Sequence, residues 1–108
     1  MYTKKDLTTI RSMILDKIPS TVRIILFGSY ARGTSDESSD MDFIILTEKN
    51  LNREEKLSSL SELRWQAARS GFNADFLLKD EDDYLSELEL PTLSRVISQE
   101  GVELWNRG

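Results

Sequence analysis

Residues 23–46 read RIILFGSYARGTSDESSDMDFIIL, and this stretch decides which fold the chain can adopt. Four apolar residues precede Gly28 and Ser29, a polar loop follows, and Asp40 and Asp42 lead into a second apolar run. Short apolar runs bounded by turn residues are typical of buried strands. The stretch therefore predicts two buried strands joined by a glycine-serine turn and an acidic loop.

The glycine-serine turn is suited to binding an anion. Gly28 directly follows the first apolar run, and a residue without a Cβ allows a sharp turn and a close approach by a phosphate. Ser29 is placed to cap a short helix over residues 30–32, whose free N–H groups could hold phosphate oxygens. Taken alone, the pair is more typical of a plain strand-to-helix turn. The aspartates downstream shift the interpretation toward a triphosphate site.

Asp40 and Asp42 are two residues apart, so on a strand their side chains point to the same face. Their Cα atoms would lie about 6 to 7 Å apart, a spacing at which two carboxylates can share divalent ions. Without a cation, the charges repel by about 4 kcal/mol at about 4 Å and an effective dielectric constant of about 20. Solvated residues at a strand start are the alternative, but strands are depleted in Asp and this one is otherwise apolar. The pair therefore predicts a cation site.

The composition limits the chemistry available to this site. The 108 residues include no cysteine and no histidine, so a metal must be held by oxygen ligands, which suits Mg²⁺ or Mn²⁺ better than Zn²⁺. A net charge of −5 offers no basic surface to a nucleic-acid backbone, so we expect no direct nucleic-acid partner. The apolar runs are too short to span a membrane, and we expect one cytoplasmic domain over residues 1–108.

Helical and strand patterns alternate along the whole chain. The patterns predict helices at 3–18, 52–70, 80–89 and 92–99, and strands at 22–27, 40–46, 74–78 and 102–105. This order predicts an α/β (α+β) fold with a small mixed β-sheet and flanking helices. The short link between the first two strands favours an antiparallel pair, and the helix before the third strand favours a parallel crossover.

Such a sheet would bring the polar residues at the strand ends together. We expect Ser29, Asp40, Asp42 and Asp75 in one cleft. Trp65 lies near the apolar stripe of the second long helix and Trp105 on the last strand. Aromatic residues at such positions pack more often than they stack on a nucleobase, so we expect both in the core.

The motifs GSYARG at 28–33 and DMDFIIL at 40–46 resemble those of the minimal nucleotidyltransferases of the DNA polymerase β superfamily. That family has the pattern G-S-x-A-R-G followed by S-D-x-D and an apolar strand, and the resemblance spans residues 23–78. It implies a polymerase β-like nucleotidyltransferase core with a third carboxylate on a later strand. Asp75, in the sequence FNADFLL, is the candidate for that carboxylate, although it could also be part of a plain turn exit.

The resemblance also implies roles for these residues. Asp40 and Asp42 would bridge two Mg²⁺ ions on the triphosphate of ATP, and Asp75 would help hold the ion that activates the acceptor hydroxyl. Gly28, Ser29 and Arg32 would bind the phosphates. Arg32 could equally pair with Asp36 or Glu37, and the loop over 33–39 could close on a nucleotide or be an ordinary connection.

The acceptor is suggested only by the resemblance. Similar proteins include MntA-type antitoxins, which adenylylate a tyrosine of a HEPN-domain RNase toxin in a toxin–antitoxin pair. Two alternatives stay open at this point. The chain could neutralise a toxin by binding alone, or it could be a stand-alone nucleotidyltransferase acting on a small hydroxylated molecule such as an aminoglycoside.

Overall fold

The computed structural model describes residues 2–36, 39–48 and 52–108. The helices of this described part are α1 (Lys4–Lys17), α2 (Ser29–Arg32), α3 (Arg53–Arg69), α4 (Glu81–Glu87) and α5 (Leu93–Glu100). The strands are β1 (Thr21–Phe27), β2 (Met41–Thr47), β3 (Ala74–Asp80) and β4 (Val102–Asn106). Each helix and strand predicted from the sequence is present, with ends that differ by a few residues.

The strands form one mixed sheet in the order β3-β2-β1-β4. β1 pairs antiparallel with both β2 and β4, and β2 pairs parallel with β3. The parallel pair requires a crossover, which α3 provides. The expected α+β class, with a small mixed sheet and flanking helices, is confirmed.

Helices cover both faces of the sheet. On the side of α1 and α3, the core contains Ile10, Met13, Ile14, Ile18, Ile24, Leu26, Met41, Phe43, Ile45, Leu60, Leu63, Ala67 and Phe76. On the side of α4 and α5, a smaller core contains Ile25, Ile44, Leu46, Tyr84 and Ile97. Alternate residues of β2 thus enter opposite cores, because successive side chains of a strand point to opposite faces. The strand is buried on both sides, as its nearly continuous apolar run predicts.

Local signals set the helix ends. Thr3 Oγ1 accepts a hydrogen bond from the Asp6 N–H at 3.3 Å, and Asp6 Oδ2 accepts from the Thr3 N–H at 2.8 Å. This reciprocal capping box starts α1 at the predicted place. Asn52 caps α3 by accepting from the Glu55 N–H at 2.8 Å, and Gly71 turns the chain after it with a φ of 85°. In the described part of the chain, no helix combines the length and the apolar content needed to cross a membrane.

Trp65 is not in the core, and that expectation is wrong. The side chain is 64% exposed, and the Arg69 guanidinium lies 4.6 Å from the ring centroid. Leu63 already faces the core, and a residue two positions later is rotated by about 200° around a helix with 3.6 residues per turn. Trp105 is half-buried and packs against the core on the side of α1 and α3, in agreement with the expectation.

The contrast between buried and exposed rings can be tested by unfolding in urea. Phe43 is fully buried, with its ring centroid 5.6 Å from that of Phe76. Phe43→Ala should therefore lower the free energy of unfolding by about 3–5 kcal/mol. Trp65→Ala should cost less than about 1 kcal/mol, the size of an exposed cation–π contact. Equal losses in the two variants would contradict the placement of Trp65 on the surface.

Candidate active site

Gly28 and Asp42 crowd each other at the end of β1. Phe27 pairs with Asp42 across the antiparallel strands, so the turn at Gly28 begins beside the aspartate. Gly28 has a φ of 75° and a ψ of −155°, a conformation open almost only to glycine. A Cβ at this position would lie 2.4 Å from Asp42 Oδ2. The missing side chain of Gly28 therefore provides the space that the Asp42 carboxylate occupies.

Asp42 and Asp75 meet across the parallel strands. Their Cα atoms are partners in the register of β2 and β3. By the alternation of the strands, both side chains lie on the face that carries Ile44 and Leu77. Asp40 precedes β2 and is exposed, as is Asp75, whereas Asp42 is half-buried. The fold thus brings the predicted aspartates to one end of the parallel pair.

The charges of the neighbouring residues act most strongly on the pKa of Asp42. Burial raises the pKa of the Asp42 carboxyl above its ordinary value of 3.8, and the nearby charges of Asp75 and Asp40 raise it further. The positive charge of Arg32 acts in the opposite direction on the same pKa. The ionised form of Asp42 is therefore destabilised in the folded chain, and a bound cation would offset this destabilisation.

Asp75 is engaged with its own strand. Its Oδ1 accepts a hydrogen bond from the Phe76 N–H at 3.0 Å, while the Phe76 carbonyl accepts from Arg64 Nη2 at 3.0 Å. Across residues 2–36, 39–48 and 52–108, no three acidic, histidine or cysteine side chains are already assembled as a metal site. Asp75 would have to release its Oδ1 or offer its Oδ2 to join Asp42 on a cation. Metal binding by Asp40, Asp42 and Asp75 stays a prediction.

The phosphate side of the site differs in two details from the expectation. Gly28 is the N-cap of α2 and Ser29 is its first residue, so Ser29 does not cap the helix. Arg32 Nη1 donates to Glu100 Oε2 at 3.2 Å, a partner 68 positions away that no local pattern indicates. The sequence left open whether Arg32 contacts phosphate or pairs with Asp36 or Glu37. Glu37 lies outside the described residues, as does Ser38 of the same loop.

The chain is similar to known proteins in sequence. The model of a family described as "Nucleotidyltransferase domain" matches residues 7–104. A protein of Methanocaldococcus jannaschii with the name "putative protein adenylyltransferase" is 49% identical over 53 residues. That match spans 49% of this chain and 48% of the relative, so about half of each protein is compared.

Solved structures show the same fold. A toxin–antitoxin with AMP-PNP superposes with a TM-score of 0.63 at 23% identity, covering 94% of this chain and 73% of the other. A tri-AMPylated HEPN toxin of Shewanella oneidensis in complex with MNT antitoxin gives a TM-score of 0.55 at 20% identity, covering 93% and 69%. At these identities the likeness confirms the architecture.

The raised pKa of Asp42 predicts how stability depends on pH. A carboxyl with a raised folded pKa is less favourable as an anion in the folded chain than in the unfolded chain. Its ionisation therefore destabilises the fold at pH 7, and this penalty disappears once the pH falls below the ordinary value of 3.8. Without divalent cations, Asp42→Asn should melt at a higher temperature than the parent at pH 7. The gain should vanish in acid, and an unchanged or lower melting temperature at pH 7 would contradict the electrostatic argument.

Alanine substitutions at two glycines with positive φ test the crowding at Asp42. Gly33 has a φ of 74° and no atoms within 4 Å of an added Cβ, so Gly33→Ala should cost only about 1–2 kcal/mol of backbone strain. Gly28→Ala adds the clash with Asp42 Oδ2 and the strain of a ψ of −155°, and it should be clearly more destabilising in thermal unfolding. Only the clash disappears in an Asp42→Ala background, so the excess cost should shrink there. An excess cost that is unchanged in that background would mean that Asp42 does not press on the turn.

Proposed function

The chain belongs to the nucleotidyltransferase domain family, and from this premise we propose that it transfers AMP from ATP to a hydroxyl group of a partner protein. The observation that carries the proposal is the Asp42 carboxylate, which lies against the Gly28 turn among like charges from Asp75 and Asp40. Mutually repelling carboxylates beside a glycine turn are suited to a triphosphate that arrives with divalent cations.

The donor set fits Mg²⁺. Asp40, Asp42 and Asp75 would hold two ions, with Mn²⁺ as an alternative, because the chain has only oxygen ligands to offer in place of cysteine and histidine. The space beside Asp42 Oδ2 is kept open by Gly28, where a Cβ would intrude. When bound, Mg²⁺ neutralises phosphate charge and lowers the pKa of a coordinated hydroxyl.

The residues around α2 would position the triphosphate. No side chain caps the start of α2, so the N–H groups near Ser29 can face phosphate oxygens. Arg32 and Glu100 are 49% and 41% exposed, and ion pairs at such exposure contribute little stability. The Arg32 guanidinium can therefore exchange Glu100 for a phosphate, which it can bind by two parallel hydrogen bonds.

The reaction needs a hydroxyl acceptor with access to this position. The acceptor oxygen bonds to the α-phosphorus as the bond from that phosphorus to the pyrophosphate oxygen breaks. The hydroxyl proton can leave to solvent on the side where Asp40 and Asp75 are exposed. No histidine is available as a general base anywhere in the sequence.

We propose a HEPN-domain RNase toxin as the partner and one of its tyrosines as the acceptor, so that the chain acts as an antitoxin. The shared fold with an MNT antitoxin that is in complex with a tri-AMPylated HEPN toxin supports this proposal. The net charge of −5 also favours association with a basic protein.

Catalysis and neutralisation by binding alone can be separated with Asp42→Asn. The substitution keeps the shape of the side chain and removes the charge that a cation needs. We expect the variant to co-purify with a co-expressed HEPN-domain protein of the same genome, while AMP transfer falls by at least about 100-fold. Mass spectrometry of the partner reads the transfer, and growth of the co-expressing cells reads the neutralisation.

The matched control is Asp16→Asn, the same change at an exposed position on α1. This variant should transfer AMP and protect cells like the parent. Full protection by Asp42→Asn without AMP on the partner would show that binding alone neutralises the toxin. Full AMP transfer by Asp42→Asn would refute the assignment of the site.

A further inference from the structure

A cavity of about 400 Å³ lies between the parallel strands and the helices α4 and α5. Its floor includes Ile44, Leu77 and Ile97. Its polar rim includes Lys79, Glu87 and Ser94. The volume lies within the range of small-molecule sites, which are mostly apolar with a few placed polar groups.

The cavity is adjacent to the candidate active site along the parallel strands. Ile44 pairs with Leu77 across β2 and β3, two positions along from the pair of Asp42 and Asp75. By strand geometry these pairs are about 6 to 7 Å apart and lie on the same face. A group that projects from the cavity by the length of one aromatic ring would therefore reach the carboxylates.

The cavity and the Gly28 turn lie on opposite sides of Asp42. Because β1 runs antiparallel to β2, Ile25 pairs with Ile44 and Phe27 pairs with Asp42, so Gly28 lies beyond Asp42 in the direction away from Ile44. In phosphoryl transfer the attacking and leaving oxygens lie roughly in line on opposite sides of the phosphorus. A triphosphate at the Gly28 turn would thus leave the cavity side open to the attacking group.

The rim of the cavity is held in place by hydrogen bonds. Glu87 Oε2 accepts from Lys79 Nζ at 2.6 Å and from Ser94 Oγ at 2.6 Å. The charges of Lys79 and Glu87 thereby neutralise each other, so a ligand in the cavity needs no charge of its own. The apolar floor suits an uncharged aromatic ring, whose hydroxyl group is then free to point out of the cavity.

Exposed apolar side chains continue from the cavity along α5 and the segment before it. Leu93 of α5 lines the cavity and is 56% exposed. Leu90 and Val96, three positions to either side of it, are 55% and 45% exposed. An acidic segment, Glu81–Glu87, forms α4 beside them. An apolar surface with an acidic border is complementary to a protein segment with apolar and basic residues.

We propose that this cavity is the acceptor subsite, which takes the hydroxylated aromatic side chain of a protein acceptor and directs its hydroxyl toward Asp42 and Asp75. The proposal rests on the proposed function, because the direction of attack follows from a triphosphate at the Gly28 turn. It assigns specificity for the acceptor to β3 and α5, whereas nucleotide binding belongs to α2 and the ends of β1 and β2.

The test uses N-acetyl-tyrosinamide as the probe and the amide NMR signals of the full chain as the readout. The signals of Leu77, Lys79 and Ser94 should shift as the probe is added. Leu93→Trp places a larger ring at the cavity mouth and should weaken probe binding by about tenfold or more, the lower end of what an apolar pocket discriminates. Val96→Trp, on the same helix but outside the cavity lining, is the matched control and should bind like the parent.

The outcomes also distinguish the acceptor from the nucleotide. Shifts elsewhere, equal shifts with N-acetyl-serinamide, or shifts that survive Leu93→Trp would overturn the proposal. So would shifts of the same three amides by adenosine, which would identify a nucleobase cavity. The rise in melting temperature with Mg-ATP is measured in parallel and should be the same in the parent, Leu93→Trp and Val96→Trp. Loss of that rise in the parent would refute the proposed function, while the probe titration still decides whether the cavity binds a tyrosine ring.

Discussion

The pairing of β2 with both of its neighbours, antiparallel to β1 and parallel to β3, is the constraint on which the site and both cores depend. This double register places Phe27, Asp42 and Asp75 at one level of the sheet. A slip by one residue would turn every side chain of β2 to the opposite face, which would move Asp42 into the larger core and exchange the apolar side chains that fill the two cores. Burial of Phe43 and Ile44 in opposite cores therefore fixes the position of the carboxylates as firmly as it stabilises the fold.

The charged carboxylate of Asp42 destabilises the fold locally, and the packing of the rest of the sheet compensates for this loss. Its anion is partly buried, faces two other aspartates, and leaves no room for a side chain at Gly28. Asp75 meanwhile satisfies the backbone N–H of Phe76, and Arg64 satisfies the carbonyl of the same residue on the edge strand β3. Hydrogen bonds of this kind protect a sheet edge. Cation binding would exchange part of this protection for relief of the repulsion at Asp42.

The two faces of the sheet differ in how completely they are buried. The face against α1 and α3 is filled by aliphatic and aromatic side chains and contributes most of the buried core. The face against α4 and α5 has a smaller core, a cavity, and a rim held together by Glu87. A face that is only partly covered by short helices leaves the carboxylate end of the strands open to substrates. The division explains how so short a chain can combine a stable core with an accessible site.

The sequence by itself determined the elements, their order, the start of α1 near Thr3, the glycine turn after β1, and the aspartates at the start of β2. These follow from periodicity, capping and turn chemistry, which act over a few neighbouring residues. Only the tertiary structure decided that Arg32 pairs with Glu100, that Asp75 Oδ1 accepts a hydrogen bond from the Phe76 N–H, and that a cavity lies two strand positions from the carboxylates. Such contacts depend on how strands and helices far apart in the chain pack together, and on which rotamers that packing leaves free, so no local pattern specifies them.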